Sequence, residues 1–279
     1  MYWNKIWKQA MTQCFFPGLI TPKNKTVVFR VVSPLSGSKL RIGFCNRFGK
    51  RPYAIGGMTV NIGGKLYEIT LNGEKRFQIP RNTVLRSDEI DVVLNQGEEV
   101  EIRFLPTTHA VDVNYIEENT VPHSCNCLYA DVLPEYKYSK PTDKLQLYRL
   151  LPMVDAIEVY GTQKVQKIVA FGDSITALSR WTKPLSARLS GAYGEQYILL
   201  NAGISGNCLT YKSNGMIRRA YGPKGVERFQ YDVLDEGEIH AVIFAIGTND
   251  LALITDKNRA AVSLDSLIHA TETVFALLK

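Results

Sequence analysis

Apolar and β-branched residues fall into short runs over the first half of the chain, at residues 26–32, 39–45, 58–62, 66–71, 90–94 and 100–105. Turn-forming clusters separate them, including Pro34-Leu35-Ser36-Gly37, Asn46-Arg47-Phe48-Gly49, Gly63-Gly64 and Asn72-Gly73. Short strands punctuated by such turns predict a sandwich or barrel, here a jelly-roll-like β-sandwich. No helical period of useful length interrupts them before about residue 140.

Residues 118–143 are richer in Pro, Asn, Ser and Tyr and read as a long surface excursion. Apolar patterning returns at 145–160 as a final sandwich strand, and 161–166 is the expected linker. The second half then alternates. Strands are expected at 167–171, 197–200 and 241–246, and helices at 179–189, 226–234 and 264–278. The largely apolar strands suit a sheet buried on both faces. The alternation predicts a doubly wound parallel sheet, flavodoxin-like, in three α/β/α layers. The expected organisation is therefore a β-sandwich over 1–162, binding carbohydrate or shaping a cleft, and an α/β domain over 163–279.

Composition narrows the function classes. The 279 residues are 45% hydrophobic and 22% charged, ordinary globular values. The net charge of +6 comes from 33 basic and 27 acidic residues that are interspersed, which argues against a nucleic-acid partner. Five cysteines are too few and scattered for a disulfide scaffold. His123-Ser124-Cys125-Asn126-Cys127 offers half a metal site with no second cluster to complete it, so no metal is expected. No cofactor-binding motif is present, so no cofactor is expected. The first residues show no clear secretory pattern, and no stretch has the length of a membrane span. A cytoplasmic location is the simplest reading, although a processed secreted protein would look the same. Asn24-Lys25-Thr26 is a glycosylation sequon, meaningful only under secretion.

Three polar motifs sit at the carboxyl ends of the three predicted parallel strands, where open α/β sheets place their sites. They are Phe171-Gly172-Asp173-Ser174-Ile175-Thr176, Asn201-Ala202-Gly203-Ile204-Ser205-Gly206-Asn207 and Ile246-Gly247-Thr248-Asn249-Asp250. Each alone also reads as a helix cap or a turn. Three at successive strand ends point to a site. No Gly-x-Ser-x-Gly elbow, His-Glu-x-x-His or phosphate-binding glycine loop competes with them.

Gly172-Asp173-Ser174, Gly206 and Asn249 resemble the first three sequence blocks of the GDSL/SGNH hydrolase family. The first half, over 37–60, more loosely resembles the β-sandwich that precedes the catalytic domain in some bacterial members. The resemblance implies a serine esterase or acylhydrolase with Ser174 as nucleophile. The oxyanion donors would be the backbone N–H groups of Ser174 and Gly206 and the amide of Asn249. Asp173 and Asn207 are expected near the substrate. That substrate would be a small ester or an acylated carbohydrate. Glycine at 206 would let backbone approach the substrate, and the Asn249 amide donates without charge. A helix starting at Ser174 would add a favourable field.

The family's base comes from a later Asp-x-x-His block, and none follows Asn249 here. On this resemblance further strands would follow Lys279, and truncation is the expected explanation, with a natural variant as the other. His109 and His123 read as loop or surface residues, and His240 precedes the third parallel strand at the end opposite the expected site. His269 follows Asp265 by four residues and could pair with it on a helix. A non-catalytic glycan-binding protein that keeps the fold, and acyl transfer to an alcohol other than water, are the competing functions.

Overall fold

The computed structural model describes residues 1–13, 23–24, 26–110, 112–115, 128–130, 150–211, 221–252 and 263–278. The strands are β1 (Tyr2–Lys8), β2 (Thr12–Gln13), β3 (Thr26–Val32), β4 (Gly37–Cys45), β5 (Tyr53–Ile62), β6 (Lys65–Glu68), β7 (Phe77–Ile79), β8 (Val84–Arg86) and β9 (Ile90–Leu94). They continue as β10 (Glu99–Pro106), β11 (Asp112–Tyr115), β12 (Leu128–Ala130), β13 (Leu150–Pro152), β14 (Val154–Gly161), β15 (Gln166–Gly172), β16 (Tyr197–Gly203) and β17 (Ala241–Ala245). The α-helices are α1 (Ser174–Ala177), α2 (Thr182–Tyr193), α3 (Gly225–Asp232), α4 (Thr248–Ala252) and α5 (Leu264–Ala276).

The first half forms antiparallel sheets. One runs β1-β14-β4-β8 with β9 on β4; another runs β12-β3-β10-β5-β6 with β7 on β5. Strict alternation drives this: β5 buries Tyr53, Ile55, Met58, Val60 and Ile62 while the residues between them are partly exposed. These side chains meet Val27, Phe29, Ile42, Phe44, Ile102 and Phe104 in one core. Asn46, in the predicted turn, is buried. Its amide donates to the carbonyls of Arg51, Ile79 and Pro80, fixing the loop before β5 to the one after β7.

The second half is a parallel sheet in the order β16-β15-β17. The first strand of this half, β15, is central, with β16 on one side and β17 on the other. Phe171 packs edge-on against Phe229 of α3 and stacks on Phe244 of β17. The predicted helix at 179–189 lies later, at Thr182–Tyr193. Ser179 sits at φ +56°, which ends the turn after α1, and Pro184 falls within the first turn of α2, where proline is tolerated.

The amino terminus contains a strand that the pattern did not predict. In β1 the inward positions are Asn4, Ile6 and Lys8, so two of three inward residues are polar. The reason is the neighbour. β1 pairs with β14 in the sandwich, then Gln9 bridges in parallel to Asn201 of β16 and the Ala10 N–H donates to the Asn201 carbonyl. The same segment thus edges both sheets. Asn4 donates to the Gln163 carbonyl, and Lys8 donates to the Asp232 carbonyl and to the Glu236 carboxylate. Short strands β7 and β8 were also unpredicted, being too brief to show a period. The excursion at 118–143, His123 with Cys125 and Cys127, and the sequon at Lys25 lie wholly or largely outside the described residues. No described helix is long and apolar enough to cross a membrane.

Candidate active site

β15 delivers its motif at the carboxyl end of the central strand. A Cβ on Gly172 would fall 2.1 Å from the Thr176 hydroxyl and 2.6 Å from the Ala245 carbonyl, so only glycine lets the chain turn there between two strands. Asp173 then caps α1, its Oδ1 accepting the Ile175 N–H at 3.0 Å. Burial pushes the Asp173 carboxyl above its usual range, against the pull of that N–H and of Arg228. Ser174 is partly exposed, and among the described residues its hydroxyl has no hydrogen-bond partner. α1 is four residues long, so the helix field expected at Ser174 is small and backbone donors matter more.

β16 carries the second motif alongside. The Ile204 N–H donates to the Gly172 carbonyl at 3.1 Å, tying the two strand ends together. The chain then turns, with Asn207 N–H donating to the Ile204 carbonyl and Gly206 at φ +74°. A Cβ at Gly206 would lie 2.4 Å from the Tyr221 ring, so both backbone and space call for glycine. Asn207 is buried, and its amide donates to the carbonyls of Tyr221 and Pro223 at 2.7 and 2.6 Å.

The third motif joins from β17. Asn249 Nδ2 donates to the Asn207 carbonyl at 3.0 Å, leaving its second N–H available. Asp250, fully buried, accepts from the Leu209 N–H, the Thr210 N–H and the Thr210 hydroxyl. The segment holding Gly206 is therefore gripped from both sides. Cys208 lies within it, and burial, with Asp250 and Asp173 nearby, pushes its thiol up to about 12. It stays protonated and is no rival nucleophile.

One participant escaped the sequence reading. Arg228 of α3 is completely buried beneath the strand ends. Its Nη2 donates to the Gly172 carbonyl, Nη1 to the Ala202 carbonyl and to Asp232, and Nε to the Asn207 side chain, all at 2.7–2.8 Å. Its guanidinium lies 4.1 Å over the Phe171 ring. The available signal was an Arg228–Asp232 pair at i,i+4 beside the apolar positions Phe229 and Val233.

The three described histidines are elsewhere. His240 precedes β17 at the opposite end of the sheet, its ring edge-on to Tyr197. His269 is exposed on α5, whose Leu267 faces Gly247. Two residues further on, the side chain is turned about 200° away. His109 is exposed in the sandwich. A cavity of about 640 Å³ lies between the sandwich and α2, with Trp7, Val31, Ala187 and Leu199 among its walls. Ala177, Ser179 and Asn201 line it, whereas Ser174, Gly206 and Asn249 do not.

Residues 170–275 match the GDSL-like Lipase/Acylhydrolase family. That stretch is most of the α/β half and includes all three strand-end motifs. No curated protein matches the chain. Among solved structures, the SGNH-hydrolase family esterase AlinE4 is 21% identical with a TM-score of 0.31. That match takes in 42% of this chain and 55% of AlinE4, so the chain spans little more than half of that protein's length. A family two carbohydrate esterase from Cellvibrio japonicus is 10% identical, covering 99% of this chain and 75% of that one at TM-score 0.31. A salicylyl-acyltransferase from a tetracycline biosynthetic pathway is 11% identical over 98% of this chain and 62% of that one, at TM-score 0.25. At such scores no substrate transfers from these proteins to this chain.

Proposed function

We propose that this protein is a serine ester hydrolase, with Ser174 attacking the carbonyl of a small ester or acylated carbohydrate. The supporting observation is the convergence of three strand-end motifs, bonded to one another through Ile204–Gly172 and Asn249–Asn207. In this reading Ser174 Oγ forms a bond to the carbonyl carbon and its proton leaves to a base. The carbonyl electron pair moves to oxygen, stabilised by the N–H groups of Ser174 and Gly206 and the second N–H of Asn249. Collapse expels the alcohol, and water then releases the acyl group from Ser174. Asp173 and Asn207, both buried and bonded internally, support the two loops beneath the substrate. Residues 1–162 form the sandwich unit, which shapes the cleft beside 163–279.

The test is turnover of a small activated ester by the chain and by Ser174→Ala. Hydrolysis confined to the parent, with a fluorophosphonate adduct on Ser174, is the expected result. Equal turnover by the two proteins ends the proposal.

A second reading, glycan binding without catalysis, is favoured by one observation. Among the described residues no histidine partners Ser174. Measurable glycan binding with no phosphonate adduct would establish it over the first.

A further inference from the structure

The geometry points to Arg228 as a positioning residue that sets the oxyanion loop against the nucleophile turn, an inference that rests on the ester-hydrolase reading of this site. A buried arginine is expensive and needs a reason. Its ion pair with Asp232 lies within one helix and would need no other partner. Yet the remaining donors go elsewhere. One bonds the Gly172 carbonyl, two residues before Ser174; one bonds the Ala202 carbonyl on β16; one bonds Asn207, the residue after Gly206.

These targets are the parts whose relative position decides where an oxyanion can sit. Gly172 O already accepts the Ile204 N–H, so Arg228 fills the second lone pair of the carbonyl joining the two loops. The planar guanidinium has fixed donor directions, so it locks two strand ends and a side chain in one plane. Phe171 beneath the plane and Asp232 beside it hold the fork still. Asn207 extends the lock outward, through its own amide to Tyr221 and Pro223 and through its carbonyl to Asn249. Moving Arg228 would thus move the Gly206 N–H and the Asn249 amide together. Arg228 touches no substrate; it acts through the loops.

Lysine retains the charge and loses the fork. Arg228→Lys is therefore expected to slow phosphonylation of Ser174 at least about tenfold. Backbone amide hydrogen exchange supplies an independent readout. Peptides covering 172–176 and 203–208 are expected to exchange at least about tenfold faster in Arg228→Lys, while those covering 58–62 and 100–105 hold their parent rates. Asn207→Ala leaves the Arg228–Asp232 pair intact and cuts the link from the other side. It is expected to reproduce the faster exchange at 203–208, and it decides the matter if Arg228→Lys does not fold. Parent-like exchange at 203–208 in whichever of these variants folds overturns the assignment. Uniformly faster exchange across sandwich and site also overturns it, since it marks general destabilisation. Failure of the parent to label at Ser174 would end the hydrolase reading, and the exchange arm would still judge Arg228.

Discussion

Two of the clusters of buried charge in this molecule bind different kinds of target. One is Arg228 with Asp232 under the strand ends. The other lies where β1, β4, β8 and β14 meet the 3-10 turn Leu234–Glu236. There Lys5 and Lys8 share Glu236, and Arg41 and Arg86 share Glu158. Both are desolvated, so burial alone does not mark a functional site. Their targets separate them. Of the four hydrogen bonds that Arg228 donates, two go to the backbone carbonyls of Gly172 and Ala202 at the ends of β15 and β16, and a third goes to Asn207. The second cluster is mostly side chain to side chain, and Lys5 and Lys8 carry it from the sandwich half into the α/β half. The first ties neighbouring strand ends within one half; the second joins two halves.

The sharpest separation comes from Gly206→Val. A β-branched residue is strained at φ +74°, and its Cβ would meet the Tyr221 ring. Phosphonylation of Ser174 is expected to fall about 10²-fold, the scale of losing one oxyanion donor. The strained backbone should also cost about 1–3 kcal/mol in urea, so labelling is compared where both proteins are folded. A variant that labels at the parent rate would remove Gly206 from the site.

Glu236→Ala should act on stability alone and leave labelling of the folded protein at the parent rate. It strands Lys8, which is almost wholly buried, and breaking such a pair costs about 3–5 kcal/mol. Urea denaturation should register that loss. Burial by itself would raise the Glu236 pKa, but Lys8 and Lys5 override it and hold it below its ordinary value. Its contribution is thus present above the unfolded carboxylate pKa, about 4.3, and is lost as pH falls through the lower folded pKa. In the parent this acid-side loss should be visible; in Glu236→Ala it should shrink. An unchanged acid limb would mean that the seam is not held by Glu236.

What the sequence revealed follows the same division. The strand-end motifs were legible because glycines and polar residues interrupt apolar strands, as at Gly172-Asp173-Ser174. Strands β3 and β9 were legible to the residue because one partner face is apolar and the turns are regular. β1 was not, because Asn4 and Lys8 face charged or polar partners far along the chain. Arg228 was hidden for the same reason. Its meaning lies in Gly172, 56 residues away, and Asn207, 21 residues away. Local patterning reports burial in an apolar core; it is blind to a polar side chain buried against a distant partner.

Asn46→Ala tests this inside the sandwich. Its buried amide serves three carbonyls, with no charge and no link to the α/β half. A loss of about 2 kcal/mol in urea is expected, with phosphonylation at the parent rate. Slower labelling would mean that the sandwich loops feed the site.

The smallest effect concerns Asp155, in the second cluster. Burial lifts its pKa despite Arg86, Lys5 and Lys8, and Glu158 adds to the lift. Its Oδ1 is 3.8 Å from Arg86 and has no hydrogen-bond partner among the described residues. The sign is therefore opposite to that of Glu236. A carboxyl raised on folding favours the folded state while protonated, and that contribution fades as pH rises from the unfolded to the folded pKa. Above that window the charge is a standing cost. Asp155→Asn removes it, so stability at neutral pH should hold or rise by about 1 kcal/mol or less, with a flatter curve just above the unfolded value. A clear loss of stability instead would place Asp155 in a working ion pair with Arg86. The second cluster would then contain no uncompensated charge, and only the place of Arg228's targets, at the ends of β15 and β16, would distinguish the two.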